Sequence, residues 1–158
     1  MSEPLDHQIV TGLSRLLRGI SRQNGYRTDC GRIVLDEESD EDLTQEDAYI
    51  EVLDEDESVD GQAAGARKSV LSLVIAIHQA TDTVDLAARR EARRIFADIR
   101  QAIAPVAKLA STSDWIRGVI RVEFTGRSLF VREAGSRFYN PELRLRVTFA
   151  EPHHPTSP

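Results

Sequence analysis

The chain of 158 residues contains one cysteine, Cys30. No intrachain disulfide framework can form, and no Cys/His cluster of the zinc-module kind is present. No apolar run approaches the roughly 18 residues of a membrane-spanning helix. Met1 is followed by Ser-Glu-Pro rather than a basic and apolar leader, so no secretory signal is expected either. The expectation is a soluble, cytoplasmic protein with no membrane partner. Lysine is nearly missing too: the 20 basic residues are 18 Arg and only Lys68 and Lys108. Arginine suits bidentate and interface contacts better than lysine, although a GC-rich codon bias produces the same ratio. Phosphate loops of the Walker type, a GxGxxG after a strand, HExxH and GxSxG are all absent.

One absence is local. From Asp36 to Ala66 there are 14 acidic residues and no Lys or Arg, while the rest of the chain holds 20 basic and 12 acidic residues. The net charge of −6 is thus a basic body carrying one intensely acidic segment. With 41% hydrophobic residues and a length near that of one domain, a single packed unit over residues 1–151 is expected. Pro152 to Pro158, with three prolines and two histidines, reads as a disordered tail.

Leu5, Ile9, Leu13, Leu16, Leu17 and Ile20 fall on one arc at about 100° per residue, predicting a helix over Leu5–Gln23 that stops at Gly25. A short extended piece follows around Tyr26–Leu35. Asp36–Asp47 reads as a solvated loop, Ala48–Leu53 as a strand and Asp54–Ala66 as a second loop, so the acidic region 36–66 is expected to be mostly loop. Arg67–Ala80 is the strongest strand signal. Leu71, Leu73, Ile75 and Ile77 alternate with Ser72, Val74, Ala76 and His78, as for a central strand covered on both faces.

Asp85 can cap a second helix over Leu86–Ala104, stopped by Pro105, with Ala92, Ile95, Phe96, Ile99 and Ile103 on one face. Arg89, Arg90, Arg93 and Arg94 crowd its N-terminal half, where the helix dipole disfavours cations, which marks a candidate interaction face. Val119–Thr125 and Leu143–Phe149 alternate as strands, with Gly126–Tyr139 as the tip of a long hairpin. The order predicts an α/β (α+β) domain: a mixed or antiparallel sheet of about four to five strands with two main helices packed on it.

Groups that could carry chemistry are few. His7, His153 and His154 lie at the chain's ends, and His78 closes the best strand. Arg27 and Arg32 near Cys30 could lower its pKa, yet a buried structural thiol is the simpler reading. Asp56, Ser58, Asp60 and Gly61 match the first half of an EF-hand loop, but Arg67 stands where a bidentate Glu is required. No catalytic residue, cofactor or metal site is therefore expected. Arg127, Arg132 and Arg137, mixed with Phe130, Phe138 and Tyr139, have the composition of a protein interface or a nucleic-acid groove. The acidic balance favours the protein interface.

Several stretches together carry a family resemblance. Asn24-Gly25-Tyr26-Arg27-Thr28-Asp29-Cys30-Gly31-Arg32 follows the first helix. The apolar strand Val70–Ile77 and then Ala97-Asp98-Ile99-Arg100-Gln101-Ala102-Ile103 come later. Val122-Glu123-Phe124-Thr125-Gly126-Arg127-Ser128-Leu129 leads through Arg132-Glu133-Ala134-Gly135-Ser136 to the last strand. From about Leu5 to Glu151 the chain resembles the tail terminator, or tail-completion, proteins of long-tailed bacteriophages, the group that includes minor tail protein U.

The resemblance implies a virion protein whose subunits form a homohexameric ring at the head-proximal end of the tail tube. Such a ring stops tube polymerisation and offers a surface for head–tail joining. The implied partners are further copies of the chain, the tail tube protein and the head–tail connector, with DNA passing through the lumen without sequence-specific binding. Within that picture the candidate interface residues are Arg89, Arg90, Arg93, Arg94, Arg127, Phe130, Arg132 and Arg137. Asp36, Glu37, Glu38, Asp40, Glu41, Asp42, Asp54, Glu55, Asp56 and Glu57 either line the lumen, repelling DNA phosphates, or mate with a basic neighbour. Other expectations from these residues are a different neck or tube ring subunit, or an acidic adaptor that mimics nucleic acid.

Overall fold

The computed structural model describes residues 3–37, 39, 48–63, 65–81, 85–107, 115–129 and 138–152. Helix α1 spans Leu5–Arg18 and buries Ile9, Leu13 and Leu17. It ends earlier than its periodicity predicts. The N–H groups of Gly19 and Ile20 donate to the carbonyls of Leu16 and Leu17, tightening the last turn, and Ile20 is buried outside the helix. Gly25, with φ +89°, closes a separate 3₁₀ turn at Arg22–Asn24 rather than α1. A second 3₁₀ turn, Cys30–Arg32, lies against the end of α1. Gly31 is required there: a Cβ would stand 2.2 Å from the Leu17 carbonyl oxygen.

The strands are β1 (Val34–Leu35), β2 (Tyr49–Ala63), β3 (Ala66–Ala80), β4 (Val119–Ser128), β5 (Phe138–Tyr139) and β6 (Glu142–Pro152). The sheet order is β1-β2-β3-β6-β4, and β5 pairs with the end of β3. β1 runs parallel to β2 and every other pair is antiparallel, so the sheet is mixed. With its two helices this is the α+β domain the element order predicts. Pro152, expected in the tail, closes β6 opposite Ala66; residues 153–158 lie outside the described set.

Helix α2 covers Leu86–Ala107. Asp85 caps it, its Oδ1 accepting from the Ala88 N–H at 2.9 Å. Pro105 does not stop it. The chain is still helical at Val106 and Ala107.

Both helices pack on the same face of the sheet. Ile9, Leu13 and Leu17 of α1 and Phe96, Ile99 and Ile103 of α2 meet Leu71, Leu73 and Ile75 of β3 and Leu145, Val147 and Phe149 of β6. All are essentially fully buried, each contributing about 1.5–3 kcal/mol relative to exposure. The centre of β3 is buried on both faces, as its alternation predicts. Val74 and Ala76 on the opposite face are buried, yet both helices lie on the other side, and Arg144 and Arg146 of β6 share the open face.

The larger correction concerns the acidic region. Residues 54–63, expected as loop, continue β2 and pair with β3 as far as Ala63 opposite Ala66. Gly65, φ +82°, sits in the tight connection, where a left-handed conformation suits glycine. Residues 40–47 of the predicted first loop lie outside the described set.

Candidate interaction surfaces

β2 changes character along its length. Ile50 and Val52 point into the core and are 1% and 2% exposed. From Leu53 to Gln62 every residue is exposed, with Leu53 at 42% and Val59 at 54%. Beyond Glu51 no described strand pairs with the outer edge of β2. This stretch carries Asp54, Glu55, Asp56, Glu57 and Asp60 with no basic residue. Two bulges, at Asp54/Asp56 and Val59/Gly61, interrupt its register with β3.

Neighbouring strands answer some of this charge. Arg67 lies 3.9 Å from Glu57 and 2.9 Å from Glu151, Lys68 is 3.1 Å from Asp60, and Arg144 is 3.3 Å from Glu55. Asp54 and Asp56 have no ion pair among the described residues. The start of the acidic segment is tied to α1 instead. Asp36, its side chain 4% exposed, faces Arg18 at 3.5 Å, and Glu37 meets His7 at 2.7 Å. Glu38, Asp40, Glu41 and Asp42 lie outside the described residues.

The other edge of the sheet is basic. β4 carries Arg121 and Arg127 against a single acid, Glu123, and exposed Arg117 precedes it. Helix α2 packs on β4 and presents Arg89, Arg90, Arg93 and Arg94 to solvent, with Arg94 bridging Glu91 at 3.2 Å. Arg127 lies 5.9 Å above the ring of Phe96, joining β4 to that helix. The hairpin-tip candidates Phe130, Arg132 and Arg137 are outside the described residues.

Between the two edges sits a clasp centred on Asp98, which no motif in the sequence marks. Asp98 of α2 is 0% exposed. One of its carboxylate oxygens accepts from the Arg27 N–H at 3.1 Å and from the Arg27 guanidinium at 3.3 Å. The other accepts from the Thr28 N–H and the Thr28 hydroxyl, both at 2.7 Å. A buried carboxylate saturated in this way fixes the segment before Cys30 against α2.

Below this clasp opens a cleft of about 450 Å³, lined among others by Thr28, Cys30, Tyr49, His78 and Glu91. Burial pushes the Cys30 thiol up to about 11, against a weaker opposing hydrogen bond from Thr28. Such a thiol stays protonated near neutrality and is a poor nucleophile. Burial also pushes the His78 pKa below its ordinary value, opposed by Glu51 and by a hydrogen bond with Asn140. The His78 ring stacks on Tyr49 with centroids 4.2 Å apart. Among the described residues no group of His, Cys, Asp and Glu is placed to hold a metal ion.

No protein-family model matches the chain, and no curated protein matches it. The surfaces themselves therefore carry the functional argument. Of the sequence candidates, the structure puts Asp54–Glu57 on one open edge and Arg127 on the edge strand at the far end of the sheet, while Arg89 and Arg93 of α2 stand near Tyr139 of β5. The reading of residues missed Arg67, Lys68 and Arg144 as partners of the acids, because those pairings exist only through sheet register. It also missed Asp60 and Arg121, whose places on the two edges depend on strand order.

Proposed function

We propose that this protein is a structural subunit of a long-tailed phage particle, a tail terminator that assembles as a ring on the head-proximal end of the tail tube. The ring stops tube growth and receives the head-side connector, with DNA passing through its lumen. The supporting observation is the far half of β2: ten consecutive strand residues exposed on both faces, with an outer edge no described strand covers. A strand this open is a surface for assembly. The basic α2 and β4 flank offers the opposite charge on the same subunit, as a head-to-tail ring contact needs.

The adaptor reading is weaker on the same ground. Glu55 and Glu57 already have Arg144 and Arg67 of the same subunit at 3.3 and 3.9 Å, which leaves less charge to imitate a nucleic-acid backbone. Electron microscopy of tails assembled with and without the protein tests the function. Overlong or unfinished tails are expected in its absence, and tails of normal length that join heads would overturn the proposal.

A further inference from the structure

We infer that the subunits join by sheet continuation: the open half of β2 in one copy pairs antiparallel with β4 of the next. The inference takes from the assembly reading only that the partner is a second copy of this chain.

Strand direction fixes the sense of pairing. β3 runs against β2, β6 against β3 and β4 against β6, so β4 runs opposite to β2. When copies are related by rotation about an axis along the strands, the β2 of the next copy keeps its direction and lies antiparallel to β4. The open stretch of β2, which continues to Ala63, is long enough to span the ten residues of β4, Val119–Ser128.

Laid end to end, with Leu53 opposite Ser128 and Gln62 opposite Val119, the two strands bring Asp54 opposite Arg127 and Asp60 opposite Arg121. The faces match. Asp54 pairs with Leu73 and Arg127 with Leu143, both on the helix-bearing face. Asp60 reaches Lys68, and Arg121 pairs with Thr148, both on the open face. Opposite charges facing across a strand pair stabilise it, and like charges oppose it. A two-fold contact of β2 with β2 would set acid against acid, so the charge pattern selects the heterologous contact. The bulges and charges on both edges guard against indiscriminate pairing, and a charge-matched edge of the same protein evades that guard.

The test is sedimentation of the full chain and three variants across a concentration series. The unaltered chain is expected to form species heavier than the 17.7 kDa monomer. Asp54→Arg with Asp60→Arg, or Arg121→Asp with Arg127→Asp, is expected to lose all of them. The variant with all four substitutions is expected to recover them, which also shows that the reversed edges fold. The inference is overturned if the unaltered chain stays monomeric throughout, if either reversal keeps the original mass, or if the four-fold variant does not recover. Assembly that survives reversal leaves the ring reading standing on another surface. The terminator reading is decided separately, by tail length.

Discussion

The two halves of β2 share one strand and one partner, yet they are held by different physics. Tyr49–Val52 is fixed from three sides, by β1, by β3 and by the helix-bearing core, with Ile50 and Val52 almost fully buried. Leu53–Gln62 is held by hydrogen bonds to β3 and a few ion pairs, with both faces open. Surface ion pairs of this kind contribute about 0–1 kcal/mol each. The first half belongs to the fold of the subunit. The second is ordered surface held within the subunit by β3 and by the Arg144 contact from β6.

Three substitutions sharpen the comparison. The largest effect is expected at Asp98→Ala, which strips the Arg27 N–H and the Thr28 N–H and hydroxyl of their acceptor inside the core. A loss of about 3 kcal/mol in urea unfolding is expected; a change below about 1 kcal/mol would mean the clasp is not part of the rigid body. The same chemical change then compares the two halves of β2 directly. Val52→Ala should cost about 2 kcal/mol, and Val59→Ala less than about 0.5 kcal/mol. Equal losses would show that the far half is packed within the subunit.

The smallest effect is a pH dependence centred on His78 of β3, opposite Tyr49 at the near end of β2. Burial lowers its pKa in the folded protein, so below about pH 6.5 the unfolded chain binds the proton more readily. The stability that depends on neutral His78 is complete above that pH and is lost as pH falls through the lowered value. Around the imidazole stand Tyr49 and Glu51 of β2 and Asn140 beside β5. The melting temperature should therefore fall less between pH 7 and pH 5 for His78→Gln than for the unaltered chain; parallel curves would remove His78 as the cause.

Much of the fold was legible in the sequence because it follows from periodicity. β3 and β6 alternate cleanly, and the apolar arcs of α1 and α2 predict the faces that meet the sheet. Boundaries were less legible where a local rule lost to its surroundings. Pro105 reads as a stop, yet α2 carries it inside and continues to Ala107. Gly25 reads as the end of α1, whereas Gly19 and Ile20 already tighten the chain six residues earlier.

The far half of β2 was not legible, for a physical reason. Asp, Glu, Gly and Ala are poor strand formers, and strand preference is mostly a statement about packed surroundings. Here β3 supplies the pairing and solvent accepts the charges, so a strand forms from a sequence that looks like loop. The charge contrast was visible as a sum over segments. Its division between opposite edges of one sheet was not, because strand order β1-β2-β3-β6-β4 puts residues 53–62 and 119–128 at opposite ends through long-range pairing.

The most direct measurement of edge-to-edge assembly mixes the two charge-reversed variants. Asp54→Arg with Asp60→Arg makes a copy whose two edges are both basic at these positions. Arg121→Asp with Arg127→Asp makes one whose edges are both acidic. Each alone should sediment as a monomer, and an equal mixture should assemble with the two kinds alternating. Recovery of the heavy species only on mixing is the predicted result; a mixture that stays monomeric while the unaltered chain assembles would contradict the pairing of β2 with β4.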